Sequence, residues 1–348
     1  MNLEPTTRRL TRRKGRPPAP RNRRARHPWQ FSAVAWKDIL WRTARSLQGD
    51  RTGLMAGGVA FYLMLSLVPL FTTSLAIYGM LFDVGEVAGH IDSLRGLVPA
   101  GVIEFFREEL ERLTGAPRLA GWSLLFSILV GLWGASRAHQ AIAIALDLAY
   151  GETSSRGMIG MRLSAIALAA ATICTGLLML GLVVVVPGIT AAIGGTPGAW
   201  LDALRWPLVA AAFWGWLMVT YRYGPSRRPA KWRWLSIGAL VGTALGITAS
   251  AVLSWYATEL VDLGKTYGSL GGVVLLLLWL FSLSFAMLLG AELDAEIEHQ
   301  TVLDSTTGRE RPRGERGAFV ADTVGAAKRE DDSWLEPARD QDGQAEES

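Results

Sequence analysis

Four histidines stand at positions 27, 90, 139 and 299 of the 348-residue chain, and none lies within metal-ligand spacing of another or of the single cysteine. Metal-assisted cleavage of a phosphodiester needs His and carboxylate ligands gathered round one ion. The sequence offers no such group, no nucleophile elbow and no phosphate loop. Cys174 is alone inside an apolar run, so a disulfide within the chain and a thiolate cluster are both excluded, and it reads as a small buried hydrophobe. The expectation is a protein that is not an enzyme and that carries no cofactor and no metal.

Other polar residues suggest structure or a pathway. Tyr62, Ser66, Thr72, Thr73 and Ser74 put polar atoms without charge on one apolar stretch, where Pro69 also frees a carbonyl. A bent polar helix can line a substrate path, although such hydroxyls also bond to their own helix or a neighbour. Arg137 and His139 close one apolar run, and Glu292 and Asp294 close another. An Arg137 to Glu292 contact would satisfy charges that are costly near hydrocarbon. The alternative is that each snorkels separately into the headgroups. Asp147 lies on an otherwise apolar surface. Gly238, Gly242 and Gly246 recur every four residues, a spacing that lets two helix backbones approach, either within one chain or across a dimer face, and a transport groove lined by glycine is a third reading.

The elements that must position these residues are long and apolar. Leu54 to Phe82 holds twenty-nine residues without a charge. At ~1.5 Å per helical residue it exceeds the ~30 Å hydrocarbon core of a bilayer. Further spans are predicted over 119–136, 163–186, 206–221, 234–258 and 266–291. The uncharged run from Leu163 to Leu201 is too long for one crossing. Pro187, Gly188, Gly194, Gly195 and Pro197 predict that its second part is a loop or re-entrant piece. A surface helix is expected from Phe31 to about Gln48, a short helix over Val102 to Leu113, and a second interfacial piece over Ala141 to Tyr150.

The fold class expected is therefore all-α: a polytopic bundle of six transmembrane spans over 31–299, with interfacial amphipathic helices. It is flanked by a disordered basic arm over 1–30 and a disordered charged tail over 300–348. Fourteen Lys or Arg precede residue 54, three lie in 137–162 and five in 222–233. The alternate connections carry four beside seven acids in 83–118, then Arg205 and Lys265 singly, so both termini are expected in the cytoplasm. The basic arm is expected to meet anionic lipid headgroups at ~1 kcal/mol per residue, rather than nucleic acid, because it adjoins a membrane anchor.

Particular motifs then become informative. Gly49-Asp50-Arg51, followed by Ala56-Gly57-Gly58-Val59-Ala60-Phe61-Tyr62 and Leu65-Ser66-Leu67-Val68-Pro69, resembles the opening signature of the YihY/virulence factor BrkB family of bacterial inner-membrane proteins. Trp133-Gly134-Ala135-Ser136-Arg137 leading to Ala145-Leu146-Asp147-Leu148-Ala149-Tyr150-Gly151 is similar too, with Asp147 where the family often has Asn. So are Tyr267-Gly268-Ser269-Leu270-Gly271-Gly272 and Leu289-Gly290-Ala291-Glu292-Leu293. The resemblance covers about residues 35 to 300 and implies six spans in the inner membrane without an agreed activity. It also implies that an older ribonuclease label for the family is misassigned, and that members bear on envelope lipids. Asp50, Arg51, Tyr62, Ser66, Pro69, Arg137, Asp147, Gly238, Gly242, Gly246, Tyr267, Gly268, Gly271 and Glu292 are the candidate residues.

Depth without charge argues against a proton relay, which uses Asp, Glu or His inside the membrane. Passage or handling of a lipid or other envelope component meets that objection best. A scaffold recruiting envelope proteins through its charged tails is the alternative.

Overall fold

The computed structural model describes residues 22–49, 52–78, 89, 91, 98–115, 121–153, 158–260 and 270–328. Helices dominate these residues, and β structure among them is confined to isolated bridges, one of which joins Ala230 and Thr306. Their composition explains it: in hydrocarbon each backbone N–H and C=O must bond within its own segment, and an α-helix achieves that. The helices are α1 (Ala33–Gly49), α2 (Thr52–Tyr78), α3 (Ala100–Gly115), α4 (Gly121–Ala149), α5 (Met158–Ile193), α6 (Gly195–Tyr223), α7 (Ser236–Trp255), α8 (Gly271–His299) and the short α9 (Phe319–Asp322). A π-helical turn, Tyr256–Leu260, extends α7.

Four segments are long and apolar enough to cross a membrane: Ala167–Pro187, Gly198–Tyr223, Ser236–Trp255 and Gly271–His299. Thr52–Leu67 is apolar over a shorter described length. Large apolar side chains such as Phe126, Leu129, Ile173, Leu177 and Val185 point outward, as they would toward lipid tails. Cys174 belongs to this outward face rather than to a buried site, because α5 turns it away from its neighbours.

Two predicted breaks are absent. The expected span at 119–136 and the separate piece at 141–150 form one helix, α4. The expected loop over 187–201 is a helical hairpin instead. Pro187 lies inside α5, where a helix tolerates a missing N–H as a bend. Pro197 falls in the first turn of α6, where no helical N–H bond is needed. The break lies at Gly194 and Gly195, whose φ values of 63° and 61° favour glycine.

α8 is the central post, packing against α1, α2, α3, α4, α7 and α9. Its last turns lie beside the starts of α2 and α7 and the ends of α4 and α6, through a core that includes Ala56, Leu146, Tyr150, Leu217, Tyr221, Ala239, Leu288 and Ala291. Its first turns meet α3 and the end of α7 through Val102, Ile103, Phe106, Leu253, Leu275 and Leu276. Thus α2, α5 and α7 leave the end where α8 finishes, here the terminal end, while α4, α6 and α8 return to it.

Residues 300–328 differ from the expected disordered tail by packing under that end. The Val302 amide donates to the Arg23 carbonyl at 2.7 Å and the Arg42 guanidinium to Ala326 O at 2.8 Å. The Lys328 amide donates to Asp38 at 3.0 Å, and Val320 enters the core. Arg316 is buried by donating to carbonyls of Val302, Leu303, Arg311 and Ala321. Polar composition concealed this because the strap is held by backbone acceptors rather than by apolar burial. Residues 22–30 of the basic arm share the arrangement, with Ala25 and Phe31 packed beside Trp234 and Ile297. The remainder of both terminal segments lies outside the described residues.

Candidate functional site

In the half of the bundle away from the terminal end, a cavity of about 530 Å³ lies between α5, α6, α7 and α8. That is within the ~300–1,000 Å³ of ordinary ligand sites. Met179 and Leu180 come from α5, Trp206, Ala210 and Phe213 from α6, Gly246 and Ile247 from α7, and Trp279 and Leu283 from α8. Small residues make the space: the site of a Cβ on Gly246 would be 3.4 Å from Leu283 and 3.5 Å from Phe213. Two polar side chains in the wall are hydrogen-bonded to each other. Trp279 Nε1 donates to Ser250 Oγ at 2.9 Å, and Ser250 Oγ donates to Gly246 O at 3.0 Å. So apolar a wall suits hydrocarbon, since a polar ligand there would lose water and recover few bonds.

The terminal end is chemically the opposite. Arg227 Nη2 and Glu298 Oε2 pair at 2.6 Å with neither side chain exposed, and the guanidinium stacks 4.5 Å from the Tyr150 ring centre. Burial alone would lower the Arg227 pKa, but the Glu298 carboxylate and then Tyr150 outweigh it and hold it above its usual value. Burial, then the nearby Asp294 carboxylate, pushes the Tyr150 hydroxyl well above the ordinary phenol range. Asp294 Oδ1 accepts the Gly238 amide at 2.7 Å, which ties α7 to α8 where they come closest. A Cβ on Gly238 would stand 2.1 Å from Gly290 O. Tyr221 Oη donates to Met287 O at 2.6 Å, joining α6 to the same post.

The sequence candidates divide between these regions. Asp147 is buried and accepts from the Ser226 hydroxyl at 2.9 Å and from the Ser226 amide, fixing the end of α4 to the loop after α6. Gly238 and Gly242 lie at the α7 to α8 contact, and Gly246 lines the cavity. Ser66 returns its hydroxyl to Leu63 O at 2.9 Å, and its Cβ would be 2.9 Å from one built on Gly134, so α2 and α4 touch there. Tyr62 packs edge-on to Phe61, and Pro69 is half-buried in α2. Gly271 is buried at the start of α8.

The expected Arg137 to Glu292 pair does not form. Arg137 is exposed, bonds Gln140 at 3.3 Å and lies over Trp133, while Glu292 is buried on α8. The separation follows from the faces they occupy: Arg137 lies on the outward face of α4, and Glu292 on a face of α8 turned into the bundle. Asp50, Arg51, Tyr267 and Gly268 lie outside the described residues.

Sequence reasoning missed the cavity aromatics, whose signal is the same as that of any tryptophan near a membrane surface. It also missed Arg227 with Glu298. Five basic residues crowd 222–233, and nothing in their order marks Arg227 as the one that is enclosed.

Alternating apolar helices, an outward hydrocarbon face and a polar cap at one end define a multi-pass helical membrane protein. The chain belongs to the family described as virulence factor BrkB, whose profile matches residues 43–315. It is 29% identical over 247 residues to the ribonuclease-like protein YfkH of Bacillus subtilis, covering 68% of this chain and 86% of that one. It is 28% identical over 274 residues to a UPF0761 membrane protein of Methylibium petroleiphilum, and 25% identical over 281 residues to one of Verminephrobacter eiseniae. These matches cover 75% and 76% of this chain but 62% and 63% of the two UPF0761 proteins. No solved structure matches the chain.

Proposed function

We propose that this protein crosses the bacterial inner membrane six times with both termini in the cytoplasm, and that it handles a lipid or other apolar envelope component through the cavity between α5, α6, α7 and α8. The observation that carries this reading is the wall of the cavity, which is apolar and in which Trp279 and Ser250 are already hydrogen-bonded. Alternation of helix direction and the basic residues of 1–53, 137–162 and 222–233 support the threading. Exposed Trp29 and Leu40 beside Lys37 and Arg45 support α1 lying on the inner surface against anionic headgroups. The name ribonuclease-like belongs to the Bacillus relative. For this chain we favour a non-enzymatic role.

The test is reconstitution of the full chain in vesicles carrying a labelled phospholipid. The protein should accelerate movement of label between leaflets, and Ala210→Trp, which fills the cavity, should abolish the acceleration while the protein remains folded. No acceleration by the wild-type chain in vesicles of bacterial lipid composition would overturn the reading.

A further inference from the structure

The cavity wall is apolar, so what distinguishes one lipid from another must lie at its mouth. Trp206 is the wall residue nearest the start of α6, and the guanidinium of Arg205 lies 5.0 Å from its ring centre. Arg205 spends one nitrogen on Asp202, with Nη1 to Oδ1 at 3.1 Å, one helical turn back on the same helix. Its Nε is buried without an acceptor, while the Asp202 side chain is partly exposed. A guanidinium stacked on an aromatic wall, with a donor unfilled, matches the planar bidentate recognition of a phosphate. The Arg205 to Asp202 pair is a partly exposed one within a single helix, a class that contributes little and yields readily to a stronger acceptor.

From these positions we infer that the cavity takes a glycerophospholipid of net negative charge, one acyl chain lying between Phe213, Gly246 and Trp279 and the phosphate at Arg205. The inference rests on the reading of the cavity as a lipid slot and adds the headgroup to it. Trp200, Leu201 and Leu204 project from the same end of α6 and are exposed, which suits a mouth opening sideways into lipid rather than into water. The binding leaflet is then the one away from the terminal end, since Trp206 begins the return of α6 toward that end.

The full chain, extracted in mild detergent, is offered phosphatidylglycerol or phosphatidylcholine with matched chains, and retained lipid is counted by native mass spectrometry. Wild type should hold one phosphatidylglycerol in preference to phosphatidylcholine. Arg205→Gln should reduce phosphatidylglycerol retention about tenfold and leave phosphatidylcholine unchanged. Arg205→Lys should keep part of the preference, and Ala210→Trp should lose both lipids. If Arg205→Gln leaves the ratio unchanged while Ala210→Trp still removes both, the headgroup assignment is wrong and the lipid slot stands. If Ala210→Trp retains both lipids at wild-type levels, the slot itself is wrong. Displacement of phosphatidylglycerol by inorganic phosphate alone would also overturn the inference, by marking Arg205 as a free-anion site. Thermal midpoints of the variants identify any that are misfolded, and Arg205→Lys keeps the headgroup question answerable if Arg205→Gln is one of them.

Discussion

Arg227 and Glu298, seventy-one positions apart, meet at 2.6 Å with neither side chain exposed, joining the loop after α6 to the last turn of the central helix. Glu298 also accepts the Ser305 hydroxyl at 2.6 Å, so the strap over residues 300–328 closes on the same carboxylate. Removing one partner strands a buried charge. Arg227→Met alone should cost about 3–5 kcal/mol of stability, and Arg227→Met with Glu298→Leu should recover most of the loss. Thermal unfolding in detergent of wild type, Arg227→Met, Glu298→Leu and the double variant measures it as a double-mutant cycle.

Close approach of α7 and α8 gives a sharper contrast. Gly238→Ala forces a methyl toward the Gly290 carbonyl, a backbone atom that cannot swing aside, and should destabilise by about 1–3 kcal/mol. Gly246→Ala, whose nearest neighbours are side chains at 3.4 and 3.5 Å, should cost well under ~1 kcal/mol. Equal effects at the two positions would contradict this packing.

The existence and order of the helices were legible because continuous apolar runs leave a backbone in lipid few alternatives. Helix ends were less so. Pro187 and Pro197 read as breakers, yet one sits at a tolerated bend and the other in a first turn, and the interruption falls at Gly194 and Gly195. Asp147 and the Gly238 series could be singled out by an odd charge and a four-residue period. The cavity could not, because it is a shape shared by four helices whose contacts span more than a hundred positions. Residues 300–328 read as solvated because their order depends on arginines reaching carbonyls, a pairing that composition does not encode.

Acid should loosen the strap before the bundle. Burial would raise the Asp304 pKa, but the Thr306 hydroxyl and the Arg311 and Thr306 amides outweigh it, so the carboxyl titrates below its ordinary range. A lowered folded pKa means that this stabilisation is complete above the unfolded value of about 3.9 and is lost as pH falls through the folded one. Proteolysis within 303–317 should rise over that low window in wild type. In Asp304→Asn it should be high already at neutral pH and vary less.

Threading can be tested with single cysteines in a Cys174→Ser background. Cysteine at Glu310, on the strap, and cysteine at Glu108, on α3, are both exposed. A membrane-impermeant maleimide added to intact inner-membrane vesicles should label them from opposite sides. Labelling from the same side would contradict six crossings.

The claim on which the functional account turns is that a lipid chain lies in the cavity between α5, α6, α7 and α8. A phospholipid with a photoreactive group in its acyl chain, irradiated with the reconstituted protein and mapped by peptide mass spectrometry, tests it directly. The account predicts adducts on Met179, Phe213 and Trp279 that disappear in Ala210→Trp. Adducts confined to the outward residues Phe126, Leu129 and Ile173, with none in the cavity, would contradict it.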